Sequence, residues 1–405
     1  MNTSALQEAA PASPLRHHLC THFPELARFD STKALEASPL YTRLRAEVER
    51  VLNGVECGDF TRAGACEAAA SGAIRATAWN IERGQRLEGV AGVLSEHPLM
   101  SRSDVLLLTE LDYGMARSGN LHVTRELARA LGMAYAFAPC YINLSKGSGL
   151  ESGAEGENAL ALHGNAVLSR RPIRRAWSVA LPNGKDKMKG REKRLGSQRA
   201  VVCDVEHPSG LFRAVSLHLD AHSSQRHRQR QMKVMLDFIE TLSPRAPVLV
   251  GGDWNTSTYD SSRAVYSIAG FFRRVLMGVG HVIENHYLKP DSWFERGLFR
   301  ELEARGFTFR ELNEPGAGTL HYDVKDLAAN TNMGEWVPRW CFRWIEWALR
   351  NQGGRCSLKL DWFAGRRIEP DASQPPRVVG RLRGPSGEVL SDHDAIVLDF
   401  TLRQS

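Results

Sequence analysis

The sequence predicts an α/β chain in which a two-layer sheet core is covered by helices. Three observations carry that prediction. Short apolar, β-rich runs recur at residues 74–81, 105–109, 165–169, 200–205, 212–217, 247–251, 357–363 and 395–400. Helical apolar periods lie between some of them, at 121–131 and 224–242. No internal repeat interrupts the pattern, which excludes a solenoid and favours layers around one core. The composition agrees: 405 residues, 42% hydrophobic and 24% charged, close to the average for soluble globular proteins. That balance excludes wholesale disorder, collagen-like repeats and a multi-span membrane protein.

Taken in order, residues 1–71 read as a helical N-terminal extension and connector, and 72–405 as the main domain. The helix expected at 38–54 has Ser38 to cap it, Pro39 in its first turn and Gly54 to stop it. Leu40, Leu44, Val48 and Leu52 form its single apolar stripe, which has to pack on the following domain. Residues 58–72, rich in Ala and Gly, read as the connector. Between Asp253 and Asp361 the chain is long for a simple core, and 321–355 reads as a Trp-rich insertion carrying Trp336, Trp340, Trp344 and Trp347. That insertion is either a helix buried on the domain, an aromatic platform for bases, or an interfacial helix at a membrane.

The net charge of +6 is not spread evenly. Residues 165–199 hold eleven Lys and Arg against Asp186 and Glu192, an excess of nine, which leaves the remainder three negative. The middle of this stretch, LPNGKDKMKGREKRLG, reads as an exposed hairpin or loop, either simply solvated or binding nucleic-acid backbone or anionic headgroups. The seven cysteines are widely spaced with no CxxC, so neither a disulfide framework nor a zinc site is expected. The N-terminus lacks a signal-peptide pattern, and a cytoplasmic location is expected. His17, His18, Cys20 and His22 read as a polar turn rather than a metal site, for want of a second ligand group.

The polar residues that matter fall at strand ends. Asn80 closes ATAWN and Glu110 closes DVLLLTE. His218 follows RAVSL, and Asp253 and Asn255 follow PVLVGG. Asp361 sits in LKLDWF, and Asp392 and His393 precede AIVLDF. Buried strands that end this way deliver their side chains to one sheet rim. Oxygen ligands converging there suit Mg²⁺ or Mn²⁺, and the histidines suit acid–base work or phosphate contact.

The motifs WNIERG, LTELD, HGNAVLSRRPI, SLHLDAHSSQRHRQRQM, VGGDWNT, LDWFAG and SDHDAI occur in that order. Together they resemble the endonuclease/exonuclease/phosphatase superfamily, with its deoxyribonuclease I-like fold, over roughly residues 74–403. The resemblance implies a four-layer α/β sandwich: two mixed β-sheets packed face to face with helices outside. It implies a phosphoesterase acting with a divalent cation, usually Mg²⁺. By resemblance, Glu110 is the principal metal ligand, Asn80 supports metal and phosphate, Asp392 lies on the metal side, and Glu82 is a further acid near it. Asp253 positions or deprotonates water, Asn255 steadies the phosphoryl oxygens, and His393 stands beside the scissile phosphate. Asp361 orients His393, and His218 is a second phosphate-binding histidine. The partner expected is a phosphate ester, foremost nucleic acid. A phospholipid or phosphoinositide at an anionic membrane surface, and a non-catalytic binding module retaining the fold, are the rival readings.

Overall fold

The computed structural model describes residues 15–61, 72–190, 192–258, 269–270, 273–274, 276–323, 347, 349–350 and 354–403. Its strands obey a period of two, with apolar side chains on both faces, so each sheet is covered on both sides. In β3 (Val105–Tyr113), Val105 and Leu107 face one apolar cluster while Leu106 and Leu108 face another. In β10 (Val248–Asp253), Leu249 points inward and Val248 and Val250 outward. Each large side chain withdrawn from water in this way contributes about 1.5–3 kcal/mol.

Three clusters therefore separate four layers. The inner one lies between the sheets, where Ala76, Ala78, Val105, Leu107 and Val167 meet Val201, Cys203, Ala214, Leu249 and Phe363. A second lies under the helices Pro39–Asn53, Leu87–Glu96 and Val123–Leu131. The third lies under the helices Gln225–Thr241 and Arg296–Ala304. This is the four-layer sandwich expected from the sequence.

The larger sheet runs β1 (Glu56–Asp59), β4 (Ala134–Asn143), β5 (Leu162–Ser169), β3, β2 (Ile74–Arg83), β16 (Ala395–Leu402), β14 (Ile368–Pro370). In addition, β7 (Arg194–Gly196) pairs with β4 and β15 (Arg377–Val379) with β16. The second sheet runs β13 (Asp361–Arg366), β10, β9 (Gly210–Leu217), β8 (Arg199–His207), β6 (Ile173–Ala180). Both are mixed: β2–β3 and β9–β10 are parallel, and the other pairings within them are antiparallel. A two-stranded ribbon joins β11 (Leu320–Asp323) to β12 (Arg355–Leu358).

The N-terminal segment docks as its apolar stripe requires. Ser38 Oγ accepts from the Tyr41 N–H, and Val48, Val51 and Leu52 join the outer cluster of the larger sheet. Strand β1 adds to the edge of that sheet, with Glu56 opposite Phe137. Gly54 ends the helix in an extended rather than a left-handed conformation, because the chain turns directly into β1.

Three expectations need correction. The run at 357–363 is two strands, since Lys359 and Leu360 break the ladder between β12 and β13. The stretch at 181–199 is not an exposed loop: Leu181, Met188 and Leu195 are buried and Lys187, Lys193 and Arg194 only half exposed. Asp186 turns it by accepting from the Met188 N–H. Strand β4 had no counterpart in the sequence reading. Of the Trp-rich stretch, Trp336, Trp340 and Trp344 lie outside the described residues. The five cysteines among the described residues are free thiols, and no described helix is long and apolar enough to cross a membrane. His17 is buried with its Nε2 at 2.7 Å from the Leu160 carbonyl, so it has a structural task.

Candidate active site

The parallel pairs β2–β3 and β9–β10 deliver their C-terminal ends to one rim, and the antiparallel β13 delivers its first residue there, with Asp253 opposite Asp361. The loop before β16 reaches the same place. It is latched to β2, where Ser391 donates to the Asn80 carbonyl (2.6 Å) and the Trp79 indole to the His393 carbonyl (2.9 Å). Residues that are far apart in the chain thus meet.

The Asn80 amide stands at the centre. It donates to Glu110 Oε1 and to Asp253 Oδ2, both at 3.2 Å. Asp253 Oδ2 is also 3.4 Å from His218 Nε2 and 3.8 Å from His393 Nε2. Its other oxygen accepts from the Asn255 backbone N–H at 2.9 Å. His393 Nδ1 lies 2.8 Å from Asp361 Oδ2, which fixes the ring and leaves Nε2 facing the cleft. Asp361 Oδ1 is buried without a hydrogen-bond partner. The structure therefore brings Asn80, Glu110, His218, Asp253, Asp361 and His393 together. Asn255 sits behind Asp253 with its amide on the Leu219 carbonyl at 3.0 Å. Asp392 is exposed at the lip; burial first, and then the Asp392 charge, raise the pKa of Glu82.

The backbone is bent to make this centre. Glu82, Arg83, Glu110 and Asn255 have φ of 47°, 66°, 58° and 49°. Such left-handed non-glycine residues cost about 1–3 kcal/mol each and persist where the surroundings over-determine them. Here the bulges in β2 and β3 throw Glu82 and Glu110 out of the ladder.

The charges divide the site into two halves. Burial alone would lower the pKa of His393, but Asp361, Asp253 and Asp392 outweigh it and raise it well above the usual value, which favours the protonated ring. Burial and the neighbouring Asp361 raise the pKa of Asp253, against the histidine charges. Burial would also raise Glu110, but Arg83, His218 and His163 hold it far below the usual carboxylate range. Arg83 reaches the outer oxygen, Oε2, at 3.9 Å, leaving Oε1 toward Asn80.

Sequence reasoning missed the supports. Thr319 Oγ1 accepts from the backbone N–H groups of Leu360 (3.0 Å) and Asp361 (3.1 Å), while its carbonyl accepts from Asp394. It thereby ties the orienting carboxylate to the loop that carries His393. Thr319→Val is expected to leave two buried donors unmet, costing about 1–3 kcal/mol in urea unfolding. It should also lower kcat; unchanged stability and kcat would show that this tie is dispensable. Below Glu110, His163 Nδ1 lies 2.8 Å from Asp112 Oδ1, and Arg117 grips the same carboxylate at 2.8 and 3.0 Å. Only the HGNA motif could have pointed to His163.

Two groupings could hold a cation. Asp253, Asp361 and His393 each place one ligand atom within 4.8 Å of the others. The second is Glu110 with Asn80. His393 Nδ1 is already engaged by Asp361, whereas Arg83 and the histidines hold the pKa of the Glu110 carboxyl low, so Glu110 is the better hard-cation ligand. Glu110 and Asp253 share the Asn80 amide and Asp253 lies opposite Asp361, so carboxylate oxygens of the kind that suit a divalent ion gather here.

Residues 77–355 match the model of the Endonuclease/Exonuclease/phosphatase family. No curated protein matches the sequence. Among solved structures, the chain is similar to an endonuclease/exonuclease/phosphatase from Beutenbergia cavernae (17% identity, TM-score 0.48, covering 82% of this chain and 72% of that one). It is also similar to D. rerio TDP2 complexed with single strand DNA product (14%, 0.43, 82% and 100%) and to the human Nocturnin catalytic domain with bound sulfate (15%, 0.43, 86% and 97%).

Proposed function

The chain belongs to the endonuclease/exonuclease/phosphatase family, whose members hydrolyse phosphoester bonds, and from that premise we propose that it is a divalent-cation-dependent phosphodiesterase acting on nucleic acid. The observation that carries the reading is the convergence of Asp253 on protonated His393 and on Asn80, beside the ionised Glu110.

In this reading Glu110 and Asn80, with Asp392 at the lip, hold Mg²⁺ or Mn²⁺, which would stabilise charge on the phosphoryl oxygens. Asp253 Oδ2 accepts the proton of the attacking water, and its raised pKa suits that task. His393 presents its Nε2–H to a phosphoryl or leaving oxygen, where negative charge builds up, and Asp361 keeps the ring turned that way. His218 contacts a second oxygen from the opposite side of Asp253. Asn255, through its backbone N–H, fixes which Asp253 oxygen faces the water.

Nucleic acid is the preferred substrate because half-buried Lys187 and Arg194 lie over Tyr141 of β4, whose ring stacks on His163, in the sheet that also carries Glu110. The test is a side-by-side assay of plasmid DNA, RNA and phospholipid vesicles, each with Mg²⁺ and with EDTA. Metal-dependent cleavage of DNA or RNA is expected. Cleavage of the vesicles without nuclease activity would overturn the substrate, and no hydrolysis together with no metal binding would overturn the enzyme.

A further inference from the structure

The N-terminal extension is stitched to the basic stretch of the main domain. Thr32 donates to the Asp186 carboxylate from its backbone N–H (3.0 and 3.1 Å) and from its hydroxyl (2.6 Å). The Lys193 ammonium donates to the carbonyls of Ala27 (2.7 Å) and Phe29 (2.8 Å) and to Asp30 (3.0 Å). Arg199 donates to Asn53 Oδ1 at 2.9 Å. Met188 and Leu195 share an apolar cluster with Leu19, Leu26 and Leu52.

These contacts engage Asp186 and Lys193 on the side facing the extension. Lys187 and Arg194 turn the other way, over the Tyr141 ring, at 5.6 and 5.3 Å from its centroid. Tyr141 in turn stacks on His163, 6.5 Å away, and His163 stands opposite Asp112 on β3 just beyond Glu110. On its other side Lys187 lies 3.4 Å from Asp220, which follows His218 by two residues. The two cations therefore neighbour the site through two routes, Tyr141 and His163 toward Glu110 and Asp220 toward His218.

Each cation has one carboxylate partner: Asp220 faces Lys187, and Glu192 faces Arg194 and also Arg117, which Asp112 and Glu151 hold as well. Two separate groups register the crowding of like charge. Burial, then Arg194 and Lys185, lower the pKa of Lys187 although Asp220 raises it. Burial, then Lys187, Lys185 and Arg194, lower that of His222 against the same carboxylate. An anion placed beside these cations would offset the like-charge part of both shifts, burial being the larger cause.

We propose that Lys187 and Arg194 form an anion subsite for a phosphate of the substrate other than the one cleaved, held in position by the N-terminal extension. The subsite deepens the phosphodiesterase reading and rests on it, since it selects polyanionic substrates over those with one phosphate. Lys187 and Arg194 touch that phosphate; Thr32 is a positioning residue that acts through Asp186.

The test compares steady-state kinetics of the full chain on a single-stranded oligodeoxynucleotide and on bis(p-nitrophenyl) phosphate, both with Mg²⁺. Lys187→Gln and Arg194→Gln are expected to raise KM for the oligonucleotide about tenfold with little change in kcat, the loss of one charge-assisted contact. The loss on the small diester should be several-fold smaller, and Lys187→Arg should restore most of the KM. Thr32→Val should shift the oligonucleotide KM in the same direction by about threefold, the cost of losing the hydroxyl–carboxylate hydrogen bond while the backbone N–H still holds Asp186. Equal losses on both substrates, or an unchanged oligonucleotide KM, overturn the subsite. If the wild-type chain cleaves neither substrate, the phosphodiesterase reading has failed, and inorganic pyrophosphate titrated by calorimetry decides the subsite alone. Binding weakened about tenfold in Lys187→Gln retains it; equal binding or none in the wild type overturns it. Thermal melting confirms that each variant is folded.

Discussion

Asp253→Asn is expected to reduce metal-dependent phosphodiester hydrolysis by about 10³-fold or more while leaving the melting temperature unchanged or higher. The substitution keeps the shape of the side chain but removes its charge and its proton-accepting oxygen, and turns a donor toward the Asn80 amide that Oδ2 accepts from. In the native protein, burial and Asp361 both disfavour the charged carboxylate, so neutralising it costs the fold little. The Asn255 N–H keeps an acceptor in the new amide oxygen. Kinetics on a small diester, run beside circular-dichroism melts, separate the two effects. Full activity in this variant would remove Asp253 from the chemistry. Loss of activity together with a lowered melting temperature would instead make it a structural residue.

Asp361→Asn should be nearly as damaging, with about 10²–10⁴-fold lower kcat, and it should also change the pH profile. The sign follows from the charges. Burial lowers the His393 pKa, and Asp361, the nearest carboxylate, is the largest influence raising it. With that charge removed, burial gains weight and the pKa falls. If the protonated ring is the active form, activity in the wild type survives to pH values above the ordinary histidine range and is lost as pH rises through the raised pKa. In the variant the alkaline limb of kcat moves to lower pH. An alkaline limb that stays where it was would show that His393 does not set it.

The site was more legible in the sequence than its surroundings, for a physical reason. A catalytic residue at the end of a buried strand leaves a local mark: an apolar run that stops at Asn80, Glu110 or Asp253. The residues that hold those groups leave none. Thr319 acts on Asp361 across 42 positions, and its role depends on a backbone approach no local pattern encodes. Arg83 follows a visible motif, yet its approach to Glu110 depends on two left-handed residues and a bulge.

Strand β4 escaped because Pro139 interrupts it. The proline falls in the gap between the partners on that side: β1 pairs with Ala134–Phe137 and β7 with Tyr141–Asn143. A residue without an N–H is tolerated where no neighbour asks for one. The basic stretch was misjudged for the opposite reason. Its charge suggested solvent, but Thr32, Ala27 and Phe29, which engage its charged groups, lie more than 150 residues earlier. Arg228 in the helix Gln225–Thr241 has a structural task, being fully buried and bonded to Glu295, Ser223 and Thr258.

The pairing of β1 with β4 bears on how the chain reaches its native state. Every residue of β4 is buried in the finished protein, so before β1 arrives the strand presents a long apolar border with open backbone groups. Such a border is a template for any other strand, including the same strand of a second molecule. During synthesis β1 emerges first and has nothing to join until β4 follows it. The extension must therefore stay free of other attachments for that interval. A form of the protein cut after the extension is expected to expose the Ala134–Phe137 edge and to self-associate, which size-exclusion chromatography would read; a stable monomer would show that the border does not need β1.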